Sequence, residues 1–382
     1  MIPYGRQDIT SEDIDAVVSV LRSDYLTQGP AVPAFEECVA RHVGSKYAVA
    51  FNSATSALHS ACVALGLGKD DCLWTSPLTF VASANCARYC GAQVDFVDID
   101  YKTGNVCPQK FEEKLFNANK AGKLPKVFIP VHFSGRSCEM EKLSKLAKSY
   151  DVKIIEDASH AIGGYFQNQP IGKSVYSDIT VFSFHPVKLV TSGEGGIAVT
   201  QNTELHAKME RFRSHGITRD PINFENNSHG AWYYEQLELG WNYRMTDIQA
   251  ALGRSQMARL NEYVKVRNSI AKKYDLALCH LPIGLPSQNS NSVSAFHLYI
   301  VRVNAEKRKY IFDQMRHHNI GVNVHYIPVH LQPYYTALGF KVGDYPEAER
   351  FYSEAISIPI YPTMTQEAQN KVVNTLSALF PN

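Results

Sequence analysis

Residues 183–196 read SFHPVKLVTSGEGG, and this stretch joins two short apolar runs, Ile179–Phe184 and Gly196–Thr200. Such runs are typical of buried strands, and Lys188 lies in the turn between them. The glycines allow close backbone approach, so the lysine can be enclosed rather than solvated. A lysine in a partly apolar pocket has a lowered pKa and can form a Schiff base. A solvated surface position, the usual fate of lysine, stays open on this stretch alone.

Short apolar runs and helix-period segments alternate along the preceding part of the chain. A first helix is predicted over residues 11–23. Strands are predicted at Tyr47–Phe51, Leu73–Ser76, Val94–Val97, Val127–Val131 and Val152–Ile155, and helices at Thr55–Leu65, Phe80–Tyr89 and Glu139–Ser149. This alternation predicts an α/β fold, with a mixed, mostly parallel sheet and helices on both faces.

The second half of the chain predicts a smaller unit. Thr246 and Gln249 match a capping box, and helical periodicity then continues to about Leu278, long enough to bridge two domains. Strand and helix signals alternate again beyond that point. We therefore predict a large domain over 1–250, which includes the N-terminal helix, and a smaller C-terminal α/β domain over 251–382, reached through one long helix.

The composition argues against several classes of protein. With 45% hydrophobic and 20% charged residues, the chain is expected to fold rather than stay disordered. Lys and Arg number 38 and Asp and Glu 37, so we expect no nucleic-acid partner, which needs a clustered basic excess. Without a long apolar run, no membrane span is expected. The eight cysteines form no C-x-x-C pair, and no secretory signal is visible, so we expect reduced thiols and a cytoplasmic protein.

Three other polar segments lie where predicted strands end or helices begin. Residues 52–58, NSATSAL, open a helix whose free N–H groups and dipole could bind phosphate, or they are an ordinary Ser/Thr N-cap. In residues 156–160, EDASH, Asp157 lies at a strand end that faces a ligand crevice, or it caps a helix. Residues 240–245, GWNYRM, suit anion recognition or form a polar helix entry.

The order and combination of these segments indicate a pyridoxal phosphate site. Thr55 at the helix start and Ser183 would hold the phosphate, and Ala54 at the same helix start would also bind the cofactor. Asp157 would keep the pyridine nitrogen charged. Lys188, which follows Asp157 by 31 positions, would bind the aldehyde carbon. The sequence therefore predicts Lys188 as the catalytic residue.

The chain resembles the sugar-nucleotide aminotransferases of the DegT/DnrJ/EryC type, which are pyridoxal phosphate-dependent transferases of fold type I. The resemblance covers residues 2–362 and is carried by NSATSAL, PLTFVASAN, DASHA, SFHPVKLVTSGEGG, RSHGI and GWNYRMTDIQAA. It implies that Phe80 stacks on the cofactor ring and that His160 lies beside its 3′-oxygen, where many relatives carry Gln. It also implies that Asn242 reaches the cofactor phosphate of the neighbouring subunit and that Arg244 acts with it, in a homodimer with shared sites.

Three segments, MIPYGRQDIT, SDYLTQGP and VHFSGRSCEME, resemble one branch of that family. The branch makes UDP-4-amino-4,6-dideoxy-N-acetyl-β-L-altrosamine, a precursor of pseudaminic acid. The resemblance implies transfer of the amino group of L-glutamate, which leaves as 2-oxoglutarate, to C4 of a UDP-linked 4-keto-6-deoxy-N-acetylhexosamine of L-arabino form. His325 and Tyr326 would border the sugar, and Tyr4 and Arg6 would approach the nucleotide. A different nucleotide-linked keto-sugar, with a D-configured 4-amino or a 3-amino product, is the alternative.

Other functions fit the sequence less well. A nicotinamide dehydrogenase needs G-x-G-x-x-G after the first strand, whereas this chain has NSATSA there. A cofactor-dependent sugar dehydratase of the same fold carries His at the lysine position, and a non-catalytic relative would lack the lysine; this chain has Lys188. The histidines in residues 323–330 could suggest a metal, but no acidic residue or Cys stands at a matching spacing, so no metal is expected.

Overall fold

The computed structural model describes residues 1–287 and 291–380. The strands are β1 (Tyr47–Phe51), β2 (Cys72–Thr75), β3 (Gln93–Phe96), β4 (Val127–Ile129), β5 (Lys153–Asp157), β6 (Tyr165–Phe166), β7 (Gln169–Pro170), β8 (Ile179–Ser183), β9 (Gly196–Thr200), β10 (Ile217–Thr218), β11 (Glu235–Gln236), β12 (Ser292–Val293), β13 (Tyr299–Arg302) and β14 (Ala355–Ile358). Each of the seven strands predicted from the sequence coincides with, or overlaps, one of these.

The helices are α1 (Ser11–Leu21), α2 (Ala31–Val43), α3 (Ala54–Ala64), α4 (Ala82–Tyr89), α5 (Pro108–Ala121), α6 (Met140–Ser149), α7 (Thr203–Phe212), α8 (Asp247–Met257), α9 (Leu260–Leu278), α10 (Ala305–His317), α11 (Pro333–Thr336), α12 (Pro346–Glu354) and α13 (Gln366–Ala378). Within the described residues, none of them is both long enough and apolar enough to cross a bilayer.

The central feature is a seven-stranded sheet in the order β1-β9-β8-β5-β4-β2-β3. From β8 to β3 all neighbouring strands are parallel. Strand β9 is antiparallel to both β8 and β1, so it is the one reversed strand of this sheet. The prediction of a mixed, mostly parallel sheet is therefore confirmed.

Helices cover both faces of this sheet, as the short, mostly apolar runs of its strands predict. Val181 of β8 packs in the same hydrophobic cluster as Ala57 and Leu58 of α3. The next residue, Phe182, points to the opposite face and packs in a second cluster with Phe35 of α2. Because successive side chains of a strand alternate between faces, one fully buried strand serves two helical layers.

A smaller body of structure follows in the second half of the chain. Strands β13 and β14 pair antiparallel and form a separate two-stranded sheet. Tyr299 and Ile356 from these strands share a buried cluster with Tyr274 of α9 and Ile311 of α10. The division into two domains at residue 250 stays a prediction.

The single long helix predicted after residue 246 is wrong. The capping box is present, since Thr246 Oγ1 accepts the Gln249 N–H at 3.2 Å. The helix then ends, because the N–H groups of Ala258 and Arg259 bond to carbonyl oxygens three residues back rather than four. At this bend the Arg259 guanidinium binds the buried Asp13 carboxylate of α1 at 2.5 Å. The result is two helices, α8 and α9, with a short turn between them.

Candidate active site

Lys188 lies in the loop that connects β8 to β9. The Phe184 N–H donates to the Gly195 carbonyl oxygen, and the Lys188 N–H to the His185 carbonyl oxygen, both at 2.9 Å. Thr191 Oγ1 also donates to the Phe184 carbonyl oxygen, at 3.0 Å. The loop is therefore braced across its base, and the position of the lysine is set by the two strands.

A cavity of about 920 Å³ opens beside this loop, beyond the C-terminal ends of β1, β5 and β8. Open α/β sheets bind their ligands at this edge. The cavity wall brings together most of the site residues predicted from the sequence, namely Tyr4, Ala54, Thr55, Phe80, Asp157, His160, Ser183, Lys188, His325 and Tyr326.

One end of the cavity is formed by the N-terminus of α3. Ser53 Oγ caps the helix by accepting the Ser56 N–H at 3.1 Å. The N–H groups of Ala54 and Thr55 have no hydrogen-bond partner among residues 1–287 and 291–380. Gly196 packs so closely that a Cβ there would lie 2.4 Å from the Ala54 nitrogen, which explains the glycine. Free amides at a helix start form an anion site of the kind that phosphate needs.

Asp157 is the last residue of β5 and is buried. Its Oδ1 accepts the Ser159 N–H at 3.0 Å, and its Oδ2 accepts the Ser83 hydroxyl at 2.6 Å. An ionised carboxylate has about four lone-pair positions, so these two bonds leave acceptor capacity on both oxygens. The carboxylate can therefore accept a further proton donor from the cavity.

The amine of Lys188 and the imidazoles near it titrate below their usual ranges. Burial lowers the pKa of Lys188 to about 8, although the Asp157 carboxylate acts in the opposite direction. Burial and the Lys188 charge lower the pKa of His325 to about 4, and the same two causes hold the pKa of His160 well below its ordinary value. At neutral pH both imidazoles are uncharged, and a substantial fraction of Lys188 can act as a nucleophile or base near pH 8.

Two aromatic side chains define another wall of the cavity. Phe80 is 59% exposed despite its apolar ring, and the centroid of that ring lies 6.2 Å from the Tyr326 ring. Tyr326 Oη lies 3.2 Å from His160 Nε2. Apolar walls with a few oriented polar groups are typical of cofactor sites.

A model of the DegT/DnrJ/EryC1/StrS aminotransferase family matches residues 7–377. The chain belongs to this family. It is a pyridoxal phosphate-dependent sugar aminotransferase, as the sequence predicts.

Similar proteins cover this aminotransferase along nearly its whole length. A spore coat polysaccharide biosynthesis protein, SpsC of Bacillus subtilis, is 37% identical over 98% of this chain and 96% of its own. The UDP-4-amino-4,6-dideoxy-N-acetyl-β-L-altrosamine transaminase of Campylobacter jejuni strain 81-176 is 36% identical over 99% and 97%. Among solved structures, Helicobacter pylori PseC, an aminotransferase involved in pseudaminic acid biosynthesis, superposes with a TM-score of 0.90 at 31% identity and 99% coverage of both chains.

The cavity of this aminotransferase fits pyridoxal phosphate. The free amides of Ala54 and Thr55 form an anion site, and Ser183 lies beside them because its β8 position pairs with Gly196. Asp157 would offer its buried carboxylate to the ring nitrogen, and Lys188 would supply a partly neutral amine for the aldehyde. When bound, the cofactor acts as an electron sink for carbon–hydrogen bond cleavage.

Three predicted site residues do not line this cavity: Arg6, Asn242 and Arg244. Residues 242–244 run as extended backbone along β1, with the Asn52 N–H bonded to the Tyr243 carbonyl oxygen at 2.8 Å. The Tyr243 hydroxyl lies 3.1 Å from His59 Nδ1, inside the same chain. Because side chains alternate along extended backbone, Asn242 and Arg244 are expected on the opposite side of this segment from Tyr243.

His297 is a cavity residue that sequence reasoning missed. Its ring centroid lies 4.3 Å from that of His160, and its side chain is 4% exposed. No motif marks it, because its contact with His160 spans more than a hundred residues of sequence. His330, at the end of the histidine-containing stretch 323–330, instead bonds through Nε2 to Glu349 at 2.9 Å and lies outside the cavity wall.

Proposed function

We propose that this aminotransferase moves the amino group of L-glutamate to C4 of a UDP-linked 4-keto-6-deoxy-N-acetylhexosamine of L-arabino form. The product would be UDP-4-amino-4,6-dideoxy-N-acetyl-β-L-altrosamine, for pseudaminic acid biosynthesis. The observation that carries the proposal is the position of the branch-like N-terminal segment. Tyr4 lines the cavity, and its ring lies 5.6 Å from the ring of His325. The segment that distinguishes the branch therefore borders the space where a sugar would lie.

We further propose a role for each residue that faces the cofactor. Ala54, Thr55 and Ser183 hold its phosphate, and Asp157 holds the ring nitrogen. Lys188 Nζ would hold the aldehyde carbon of the cofactor. Once displaced by the amine of the donor, the free Lys188 amine would take the α-proton of the donor and later deliver a proton to the sugar at C4. One residue serves as base and then as acid, as microscopic reversibility requires.

The other cavity residues would orient the ring and the sugar. Phe80 stacks on the cofactor ring, and the neutral imidazole of His160 bonds its 3′-oxygen. Tyr326 and His325 border the sugar, and His325 is fixed by its 2.7 Å contact between Nδ1 and Ser357 Oγ. Holding both reactants in this order replaces a bimolecular encounter by an oriented one.

Asn242 and Arg244 belong, in this proposal, to the active site of a second copy. Neither residue lines this chain's own cavity, whereas Tyr243 between them contacts His59 of the same chain. In a homodimer, residues 242–244 of each chain would lie beside the other chain's site. Each cofactor phosphate would then receive an amide and a guanidinium from the neighbouring chain. Arg6 is exposed and would approach the nucleotide. We place this dimer in the cytoplasm, where its cysteines would stay reduced.

Mixed dimers test this sharing of sites. Lys188→Ala and Asn242→Ala should each be nearly inactive alone, because each lacks one half of every site. After mixing and re-association, a heterodimer holds one site with both Lys188 and Asn242 intact, so up to about a quarter of the parent activity should return in a statistical mixture. Activity is measured after subunit exchange, with differently tagged chains purified as heterodimers.

A matched control mixes Lys188→Ala with Asp157→Ala. Both of these residues line the same chain's cavity, so each site of that heterodimer carries one of the two changes and neither site is intact; this heterodimer should stay inactive. If purified Lys188→Ala/Asn242→Ala heterodimers are no more active than this control, Asn242 does not act across the dimer.

The substrate assignment predicts strong discrimination at C5. The 5-epimer, of D-xylo form, turns its methyl group to the other ring face and displaces C4 from the attacking amine. A misplacement of this size costs on the order of a hundredfold in rate. Both keto-sugars are assayed as UDP derivatives with L-glutamate, under matched conditions. Equal or faster use of the D-xylo form contradicts the assignment, while the transaminase assignment survives.

The second candidate is a different nucleotide-linked keto-sugar, with a D-configured 4-amino or a 3-amino product. The observation that favours it is the similarity to SpsC of B. subtilis, 37% identical, whose name refers to spore coat polysaccharide rather than to altrosamine. A panel of UDP- and dTDP-linked 3-keto and 4-keto sugars separates the two candidates. Preference for any member other than the L-arabino form favours the second.

A further inference from the structure

A chain of two buried hydroxyls lies behind the Asp157 carboxylate. Ser83, on α4, is fully buried and donates its hydroxyl to Asp157 Oδ2 at 2.6 Å. Thr79 Oγ1, 3% exposed, lies 2.9 Å from Ser83 Oγ. The Phe80 carbonyl oxygen, at 3.5 Å, is a much longer acceptor for the Ser83 hydroxyl.

The donor and acceptor in each of these hydrogen bonds follow from counting protons. A serine hydroxyl has one proton, and Ser83 gives it to the carboxylate in the shortest of its bonds. Thr79 must then be the donor in the shared bond between the two hydroxyls. Each bond polarises the next, so the sequence Thr79 to Ser83 to Asp157 strengthens the last link. Such a bond to a charged acceptor is stronger than one between neutral groups.

The same short segment carries Phe80 between the two hydroxyls. Thr79 and Phe80 line the cavity, whereas Ser83 does not. Ser83 therefore has no access to a ligand and can act on one only through Asp157. On the other side, the Ser159 N–H holds the second carboxylate oxygen at 3.0 Å. The two donors together fix the plane in which the carboxylate meets the cavity.

We infer that Ser83 is a positioning residue, which aims the Asp157 carboxylate at the ring nitrogen of the cofactor and is itself oriented by Thr79. The inference rests on the proposed role of Asp157 toward that nitrogen. It goes further in assigning a function to a residue that touches neither cofactor nor substrate. The two hydroxyls also link the orientation of the Asp157 carboxylate to the turn that carries Phe80.

Binding of pyridoxamine 5′-phosphate to the full-length chain without cofactor tests the inference. This probe has no aldehyde, so it cannot join Lys188 covalently, and its dissociation constant reports the non-covalent contacts alone. The second probe is its carbon analogue, in which C–H replaces the ring nitrogen. Ser83→Ala should weaken the first probe about tenfold, as for a lost bond to a charged group. It should change the second by less than about twofold, because that probe makes no bond to Asp157.

Four further variants complete the test. Ser83→Cys keeps the side-chain size with a poor donor, so it should match Ser83→Ala and replaces it if that variant does not fold. Thr79→Val should weaken binding of the first probe by a smaller factor and leave binding of the second unchanged. Thr79→Ser, which keeps the hydroxyl, should bind the first probe as the parent does. Ser60→Ala removes a buried hydroxyl that has no partner in the described part of the chain, and should leave both dissociation constants unchanged.

Two outcomes overturn the inference. Equal weakening of both probes in Ser83→Ala and Ser83→Cys would mean that the hydroxyl only supports the fold. Unchanged binding of both probes would mean that it has no effect on the site. A parent chain that binds the two probes equally well contradicts the role of Asp157 itself, which separates failure of the proposed function from failure of this inference.

Discussion

A Lys188→Ala variant should lose transamination almost completely, with kcat at least about a thousandfold below that of the parent enzyme. The lysine is the one cavity residue with an amine for the aldehyde, and no second lysine lines the described cavity wall. Burial lowers its pKa to about 8, so the amine can both attack and accept a proton near neutral pH. Without it the proton transfers at the donor carbon and at C4 have no positioned base or acid.

Chemical labelling locates the same residue independently of activity. Borohydride treatment of the purified enzyme should remove its visible absorption band and fix the cofactor to the peptide that contains Lys188. Lys173→Ala is the matched control, since Lys173 is partly buried, bonds to Gln169 and lies outside the cavity. The Lys173→Ala variant should show the visible absorption band before reduction and the adduct on the Lys188 peptide after it. A reduced adduct on any other lysine contradicts the assignment.

The lowered pKa of Lys188 also gives this reaction a pH dependence. The neutral amine attacks the aldehyde, and the ammonium does not. Below about pH 8 most of the lysine is charged, so attachment of pyridoxal phosphate to the cofactor-free chain should be slower there and should rise to a plateau above that pH. The rate is followed by stopped-flow absorbance at constant ionic strength. A rate that rises only near the ordinary lysine range contradicts the effect of burial.

The sequence was sufficient for the main sheet and for the residues attached to its strand ends. The predicted strands are short, mostly apolar runs, because strands covered on both faces have no extended polar side. Asp157 and Ser183 lie at the ends of such strands, so their place at one edge of the sheet follows from the parallel topology. The start of α3 was marked in the same way, by Ser and Thr residues directly after a strand.

Features that depend on distant contacts could not be read from the sequence. The bend between α8 and α9 involves a bond from Arg259 to Asp13, residues 246 positions apart. His297 enters the site only through its packing on His160. Ser83 reaches Asp157 across 74 positions, on a helix whose pattern shows only burial. Local patterns predicted the elements and their ends, and the tertiary structure decided which polar side chains meet.

The carboxylate of Asp157 should matter for the chemical step itself. In the proposed function this buried carboxylate keeps the pyridine nitrogen protonated, and a protonated ring would draw electrons as the donor loses its α-proton. In any variant that lacks the carboxylate, Lys188 would have to remove a less acidic α-proton from the donor. Asp157→Ala removes both the charge and the acceptor, while Asp157→Glu keeps the charge but displaces it by one methylene from Ser83 and the Ser159 N–H.

With cofactor saturating, Asp157→Ala should slow the single-turnover reaction with L-glutamate by about a hundredfold or more, the loss typical of a preorganised electrostatic contact. Asp157→Glu should lose less activity, because it still supplies a negative charge near the ring nitrogen.

Asp178→Asn is the control. The Asp178 carboxylate accepts the Ile154 N–H at 2.8 Å, at the opposite end of β5 from the cavity, and the amide oxygen of the variant can still accept that bond. Its turnover should match the parent. The comparison is made only where absorbance shows full cofactor occupancy, since weaker binding alone would also reduce the rate. If saturated Asp157→Ala turns over as fast as the parent, the carboxylate has no part in the chemical step, and the ring nitrogen must then be held by another group.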